Sequence, residues 1–229
     1  MIATVHVADV GIAGALRFLR RTPAPGSIPG LRHADIALAA TLGGSALPSP
    51  DLRRVALVAS WDDDDDVDRF LSDSPVAAAL AGGWHARLAP LRLWGSWPGV
   101  PDDLPRSRHV EHEGPAAVLT LGRLRLTQAL RFLRTSARAE ARVVEAPGMI
   151  WGTGMARPPF VATCSLWSST EALTTYAYGH EHPAHSAAVA ADRARAFHHR
   201  SAFVRFRPYA SEGRLDGRNP LAEAWLAAA

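Results

Sequence analysis

The sequence predicts an α+β fold: two fused ferredoxin-like β-α-β-β-α-β repeats that form a dimeric α+β barrel within one chain. Three observations predict it. The word "ALRFLR" stands at Ala15–Arg20 and again at Ala129–Arg134, half a chain apart in 229 residues. A β-rich run ending in Trp follows each copy, "VALVASW" at Val55–Trp61 and "VATCSLW" at Val161–Trp167. An aromatic-His-x-Arg word then opens the last strand of each half, in "WHARLAPLRL" from Trp84 and "FHHRSAFVRF" from Phe197.

Each element has a local reason. "IATVHVAD" and "AAVLTLGR" are alternating or apolar runs that suit a strand. In the repeated word, Leu16 with Leu19 and Leu130 with Leu133 are spaced to pack on a sheet, while Arg17, Arg20, Arg131 and Arg134 face water. Loops at Pro29-Gly30-Leu31 and Pro147-Gly148-Met149 come next, and the stretch from Thr22 to Pro50 reads as a long loop rich in Gly, Pro and Ala. After the Trp-ended strands, Asp62 and Ser168 are placed to cap the following helix. The four correspondences keep their order at offsets of 114, 118, 106 and 113, as a duplication with loop insertions would leave them. The reading divides the chain into repeat 1 at 1–94, a Pro-rich linker at 95–115 and repeat 2 at 116–229. A sheet with helices on one face needs a cover for the other, and two such sheets face to face cover each other.

Composition excludes several classes. At 48% hydrophobic the chain buries a substantial core. The net charge is +3 and all 25 basic residues are Arg, but no basic run or aromatic-flanked strand marks a nucleic-acid surface. Cys164 is the single cysteine and lies in a predicted strand, so no intrachain disulfide forms and the thiol is expected to be buried and inert. That usage, the lack of a signal-peptide pattern in "MIATVHVADVGIAG" and the lack of a membrane-length apolar stretch point to a cytoplasmic protein that is not integral to a membrane. Five aspartates at 62–66 stand at a helix start, where negative charge is favourable. No nucleophile elbow, phosphate-binding loop or dinucleotide fingerprint is present.

Chemistry is expected where the halves differ. "SPVAAALAGG" from Ser74 corresponds to "HPAHSAAVAAD" from His182, and aligning Pro75 with Pro183 sets Ala77 against His185. His185 falls one turn into a helix beginning near Pro183, among Ala184, Ala188 and Ala191. Such small neighbours leave room for a flat cofactor, although a helix histidine taken alone is an ordinary hydrogen-bonded side chain. His180, His182 and His185 have the spacing of a local metal site, but Pro183 divides a loop from a helix and solvated loop histidines are the default. His198, with a counterpart in His85, reads as a packing residue.

The second half resembles a known family. The residues that carry this are "RPPFVATCSLWSSTEALTTYAY", "HSAAV" from His185 and "FVRFRPYASEGRLDGRNPL", within Ala117–Leu221. They resemble the spheroidene-monooxygenase-like family of carotenoid-modifying haem proteins. The resemblance implies a dimeric α+β barrel, haem b, and oxidation of an unactivated carbon in a hydrophobic small molecule or natural-product intermediate. It implies His185 as the proximal iron ligand, with Arg157, Arg193 and Arg200 as candidate propionate partners and Trp151, Phe160, Trp167 and Tyr178 as candidate walls. It assigns no catalytic residue. An external electron donor such as a ferredoxin is implied, since no flavin or ferredoxin module is visible. Two rivals remain: a haem enzyme of aldoxime-dehydratase or chlorite-dismutase-like type acting on an N–O or Cl–O group without oxygen activation, and a cofactor-free ligand-binding α+β barrel.

Overall fold

Strand alternation sorts the side chains of this chain onto two surfaces, and closing the sheet turns one of them into an interior. The computed structural model describes residues 1–42, 50–178, 194–222 and 225, the side chains of 137–142 excepted. The elements are β1 (Ile2–Asp9), α1 (Gly11–Arg20), β2 (Leu31–Thr41), β3 (Pro50–Trp61), α2 (Asp64–Asp73), α3 (Pro75–Leu80) and β4 (Trp84–Gly95), then β5 (Ala116–Leu124), α4 (Ala129–Val143), β6 (Met149–Arg157), β7 (Phe160–Trp167), α5 (Thr170–Tyr178) and β8 (His198–Gly213). The strands close into an antiparallel barrel in the order β1-β3-β2-β6-β7-β5-β8-β4. Strands 1–4 form one half of the barrel and strands 5–8 the other. The halves meet along β4–β8, paired from Trp84 to Gly95, and along a shorter β2–β6 seam at Leu38–Thr41.

The barrel interior is one apolar core drawn from both halves. Both halves supply small and large residues, Ala3, Ala37, Ala56, Trp84 and Leu88 from the first and Ala117, Leu119, Phe160, Ala162 and Phe206 from the second. Small facing large lets the layers interdigitate at the density of a protein interior. Cys164 sits in this core, where burial pushes its thiol up to about 12, so it is inert as the sequence implied.

The segment after β4 contributes to the core as well. Trp97 is buried in the barrel, 5.9 Å from the Phe160 ring, with Val100 and Leu104 packed behind it. Its indole Nε1 donates to Asp35 Oδ2 at 3.1 Å, and Arg123 Nη2 donates to Asp35 Oδ1 at 2.6 Å. His33 Nε2 meets Asp35 Oδ2 at 3.0 Å. Burial alone would raise the Asp35 carboxyl, but His33, Arg123 and Trp97 outweigh it and hold it below its ordinary value. This cluster ties β2 of one half to β5 of the other.

The ladders of the two halves run in parallel registers. Thr4 pairs with Ala59 as Val118 pairs with Ser165, and Leu57 pairs with Ile36 as Thr163 pairs with Gly154. These positions are 114, 106 and 118 residues apart, the first three offsets read from the sequence. The fourth is corrected. Thr4 pairs with Arg87 and Val118 with Arg205, and His6 pairs with His85 as Thr120 does with Phe203. The counterpart of His85 is therefore Phe203, and His198 has a different place.

Four local expectations also change. The stretch from Thr22 to Pro50 contains β2 rather than forming one long loop. Helix α1 buries Ala15 and Phe18 and leaves Leu16 half-exposed, because Leu16 lies about 200° around the helix from Phe18. Leu130 is exposed in the second copy, where Phe132 packs against Phe197 and His198 instead. The helix caps fall one residue later than expected. Asp63 accepts from Asp66 N at 3.1 Å, and Ser169 Oγ accepts from Ala172 N at 3.0 Å. The backbone amides of Asp62 and Ser168 are already used by Gly30 and Gly148 carbonyls.

Candidate cofactor site

Side chains on the outer surface of each half lie in rows across four strands, and the same rows are filled differently. In the first half one row runs His85, His6, Leu57, Ile36 across β4, β1, β3 and β2. Leu57 and Ile36 are buried with Val55, Ala34 and Ala59 under Phe18, Val67, Phe70 and Leu80 of the helices. His6 is buried as well, stacked 4.9 Å from His85, and its Nε2 has no partner. Burial, then His85 and Arg87, push its pKa down to about 3, so the ring is neutral. Above this row Arg87 donates to Asp64 Oδ1 at 2.9 Å and to Asp68, both from the acidic start of α2. Tyr209 also donates to Asp64, at 2.7 Å. The aspartate run therefore serves capping and ion pairing.

The matching row of the second half is Phe203, Thr120, Thr163, Gly154. Threonine stands where the first half has leucine, glycine where it has isoleucine, and threonine where it has the buried histidine. Gly122, Val161 and Ala156 form the next row along. Thr120, Val161, Thr163 and Gly154 are half-buried where their counterparts His6, Val55, Leu57 and Ile36 are closed over, while Ala156 and its counterpart Leu38 are both half-buried. Strand and residue spacings make this floor about 14 Å by 13 Å, the size of a flat tetrapyrrole. At Gly154 an added Cβ would only touch Ala40 Cβ at 3.5 Å, so neither backbone nor crowding requires glycine there. At Gly122 the His198 ring lies so close that any Cβ would collide with it, which fixes that ring over the end of the floor.

One edge of the floor is apolar and cationic. Trp94 stands across the ladder from Phe203, their rings 5.6 Å apart. In the next row Arg92 stands across from Arg205. Arg205 is only 5% exposed, and its Nη1 has no hydrogen-bond partner. Burial, relieved in part by Tyr178 and reinforced by Arg92, lowers its pKa. Arg92 Nη1 donates to Tyr178 Oη at 3.0 Å, and the Arg108 guanidinium lies 4.8 Å from the centre of the Tyr178 ring. The strand pattern "FVRFR" already sets Arg205 opposite in facing to Val204 and Phe206. That Arg205 has no partner depends on what α5 presents to it, which no strand pattern carries.

The structure gathers only part of the expected residue set. His185 and Arg193 lie outside the described residues, as do His180 and His182. Trp167 is on the outer surface, its ring 5.2 Å from Tyr176 and its Nε1 donating to Ser165 Oγ at 3.0 Å. Tyr178 stands at the same edge as Arg92. Trp151 and Phe160 belong to the other surface, packed in the barrel interior, with Trp151 5.0 Å from Trp84. They share no wall with Trp167 and Tyr178. Arg157 is bound to Thr22 Oγ1 and to Leu19 O at the end of α1, and Arg200 is exposed at the start of β8. Among the described residues no three His, Cys, Asp or Glu side chains converge as a metal site, and no helix is long and apolar enough to cross a membrane.

Comparison with known proteins places this architecture. A spheroidene monooxygenase from Rubrivivax gelatinosus is 31% identical over 203 residues, spanning 86% of this chain and 76% of the relative. The chain belongs to the spheroidene monooxygenase family. It is thus an enzyme, an oxidoreductase of the monooxygenase class. The spheroidene monooxygenase of Rhodobacter capsulatus is 26% identical, with 80% of this chain and 78% of the relative covered. That of Cereibacter sphaeroides is 24% identical, and the match spans 58% of its length. No family profile matches the chain. Among solved structures, an aldoxime dehydratase aligns over 96% of this chain and 86% of its own at a TM-score of 0.54 and 10% identity. A second, solved with butyraldoxime, aligns at 0.51 and 9% identity, covering 91% and 79%. At such identity the likeness is one of fold.

Proposed function

We propose that this member of the spheroidene monooxygenase family is a haem-dependent monooxygenase that oxidises a hydrophobic small molecule, with haem b on the outer floor of the second half. The observation that carries this reading is the stripped row Thr120, Thr163, Gly154, set against the filled row His6, Leu57, Ile36 of the first half. A fold that closes one outer face with leucine and isoleucine keeps this row of the other face small and half-buried for a reason, and a flat apolar group suits it. Trp94 and Phe203 supply an apolar wall to a planar cofactor, and Gly154 and Ala156 let it approach the sheet. When bound, haem supplies the iron at which oxygen is activated, a chemistry that no side chain offers.

The chain's own residues bind, orient and exclude water. His185, seven residues beyond Tyr178 in the sequence, is proposed as the residue that would hold the iron of haem, since a neutral imidazole nitrogen is a haem-iron ligand. Arg193 remains a candidate partner for the cofactor. The apolar rim favours an apolar substrate, and electrons come from a separate donor such as a ferredoxin. A duplicated origin for the two halves, at 1–94 and 116–229, belongs to the same proposal, with the filled face the copy that kept no site.

An absorption spectrum of protein produced with ample haem tests this directly. A Soret band is expected in the wild type and is lost or displaced in His185→Ala. Turnover is expected to need both oxygen and reductant. Turnover under nitrogen without reductant would move the chain to the aldoxime-dehydratase-like class of chemistry, and a colourless protein would leave a cofactor-free barrel.

A further inference from the structure

Arg205 and its counterpart Arg87 occupy the same ladder position, yet only Arg87 has carboxylates. Asp64 and Asp68 of α2 reach Arg87. Helix α5 has the corresponding place in the second half and carries a single acid, Glu171, exposed in its first turn. What α5 brings to Arg205 is Tyr178, a neutral phenol whose oxygen Arg92 already engages. Arg92, directly across the ladder, carries the same charge, and like charges directly opposite oppose pairing. Arg108 adds a third guanidinium on the Tyr178 ring. Among the described residues none of these three arginines has an ion pair. A buried guanidinium without an anion is unfavourable by itself, so the arrangement is complete only with an anion present.

We infer that Arg205 and Arg92 form a carboxylate seat at the edge of the floor, and that its occupant is a propionate of haem. The inference rests on the haem reading above and adds the residues that orient the ring. Arg205 Nη1 has no hydrogen-bond partner among the described residues, and the planar fork of arginine matches a carboxylate in two parallel hydrogen bonds. Seating one propionate beside Arg205 directs the apolar edge of the macrocycle along the row Phe203, Thr120, Thr163, Gly154. The seat also replaces the Arg157 and Arg200 expected from the sequence, one of which is held by Thr22 and the other exposed at the strand end.

Soret titrations of the full chain with ferric haem and with haem dimethyl ester test the seat. The wild type is expected to bind the ester about tenfold or more weaker than haem, and Arg205→Gln to bind haem weaker than the wild type by a similar factor. Arg205→Gln should no longer distinguish the two. Arg92→Gln, at a half-exposed position, should show the same pattern with a smaller ratio. Haem-free Arg205→Gln should melt at or above the wild-type temperature, whereas an arginine that only holds the fold together would lower it on removal. Equal affinity of the wild type for haem and ester overturns the seat, as does unchanged haem affinity in Arg205→Gln. If octanoate, and not haem, raises the melting temperature of the wild type through Arg205, the occupant is a free carboxylate and the propionate assignment falls. A wild type with no Soret band overturns the haem reading itself, a result distinct from every other.

Discussion

The two outer faces of the barrel share a ladder and differ in what stands on it. In the first half the row His6, Leu57, Ile36 is core, and Arg87 above it is held by two aspartates. In the second half Thr120, Thr163 and Gly154 stand in that row, and Arg205 has no carboxylate among the described residues. One backbone register thus serves either as a packed interior or as a prepared floor. Which it becomes is decided by a few side-chain volumes and by the acidity of one helix. The closed face carries stability and leaves the open face free to be locally incomplete.

Transplanting one row onto the other gives the largest expected effect. Ile36→Gly removes a fully buried side chain and should cost about 4 kcal/mol or more in urea unfolding, from the cavity plus the weakness of glycine in a strand. The reciprocal Gly154→Ile should change haem-free stability by under about 1 kcal/mol while abolishing the Soret band, since an added Cβ there meets Ala40 and Leu42 only at ordinary van der Waals distance, 3.5 Å and beyond. If Gly154→Ile unfolds the protein as readily as Ile36→Gly does, the two faces are equally packed and the comparison fails.

Acid sensitivity separates the faces next. The folded pKa of His6, about 3, lies below its ordinary 6.5. Between those values the unfolded chain binds a proton that the folded chain does not, so stability falls as pH falls from 6.5 toward 3. His6→Leu should remove this slope, gaining about 2 kcal/mol relative to the wild type at pH 5 and little at pH 8. Parallel melting curves of the two proteins across that range would break the assignment. Arg87→Met comes third, at about 1–2 kcal/mol, because its aspartate partners are half-exposed or more. Arg205→Met, at the equivalent position, should cost the haem-free protein nothing. The smallest expected difference sharpens a cap. Asp63→Ala should cost about 1 kcal/mol and Asp62→Ala under about 0.5 kcal/mol in thermal melts.

Much of the fold was legible in local words. Alternation set β1 and β5, the Trp-ended runs set β3 and β7, and the three shared offsets agree with the ladders. The fourth offset slipped by five residues because the last strands carry register shifts at Arg87/Leu88, Pro90/Arg92 and Arg123/Leu124, which no spacing rule reveals. The buried face of α1 was misread because Phe18 outweighs Leu16 in volume, and the caps because Asp62 and Ser168 first serve the sheet. Of the expected site residues, Trp167 and Tyr178 lie on the outer surface of the second half. Trp151 and Phe160 lie in the barrel interior; an aromatic word does not say which side of a closed sheet it faces. The Arg205 and Arg92 pair proposed as a carboxylate seat was not legible, because its mark is a guanidinium nitrogen without a partner among the described residues, a property of three dimensions.

The shared interior has a consequence for synthesis. Ala3, Val5, Val7, Ala37, Ala56 and Trp84 have their cover in Leu119, Phe160, Val204 and Phe206, all translated later. A chain paused in the segment after β4 therefore shows a bare apolar sheet, with Trp97 and Asp35 still waiting for Phe160 and Arg123. During the seconds that separate the halves at the ribosome, that surface is a target for chaperones and for neighbouring nascent chains. Because both halves lie on one chain, the proper cover arrives tethered, at a high effective concentration relative to any competitor.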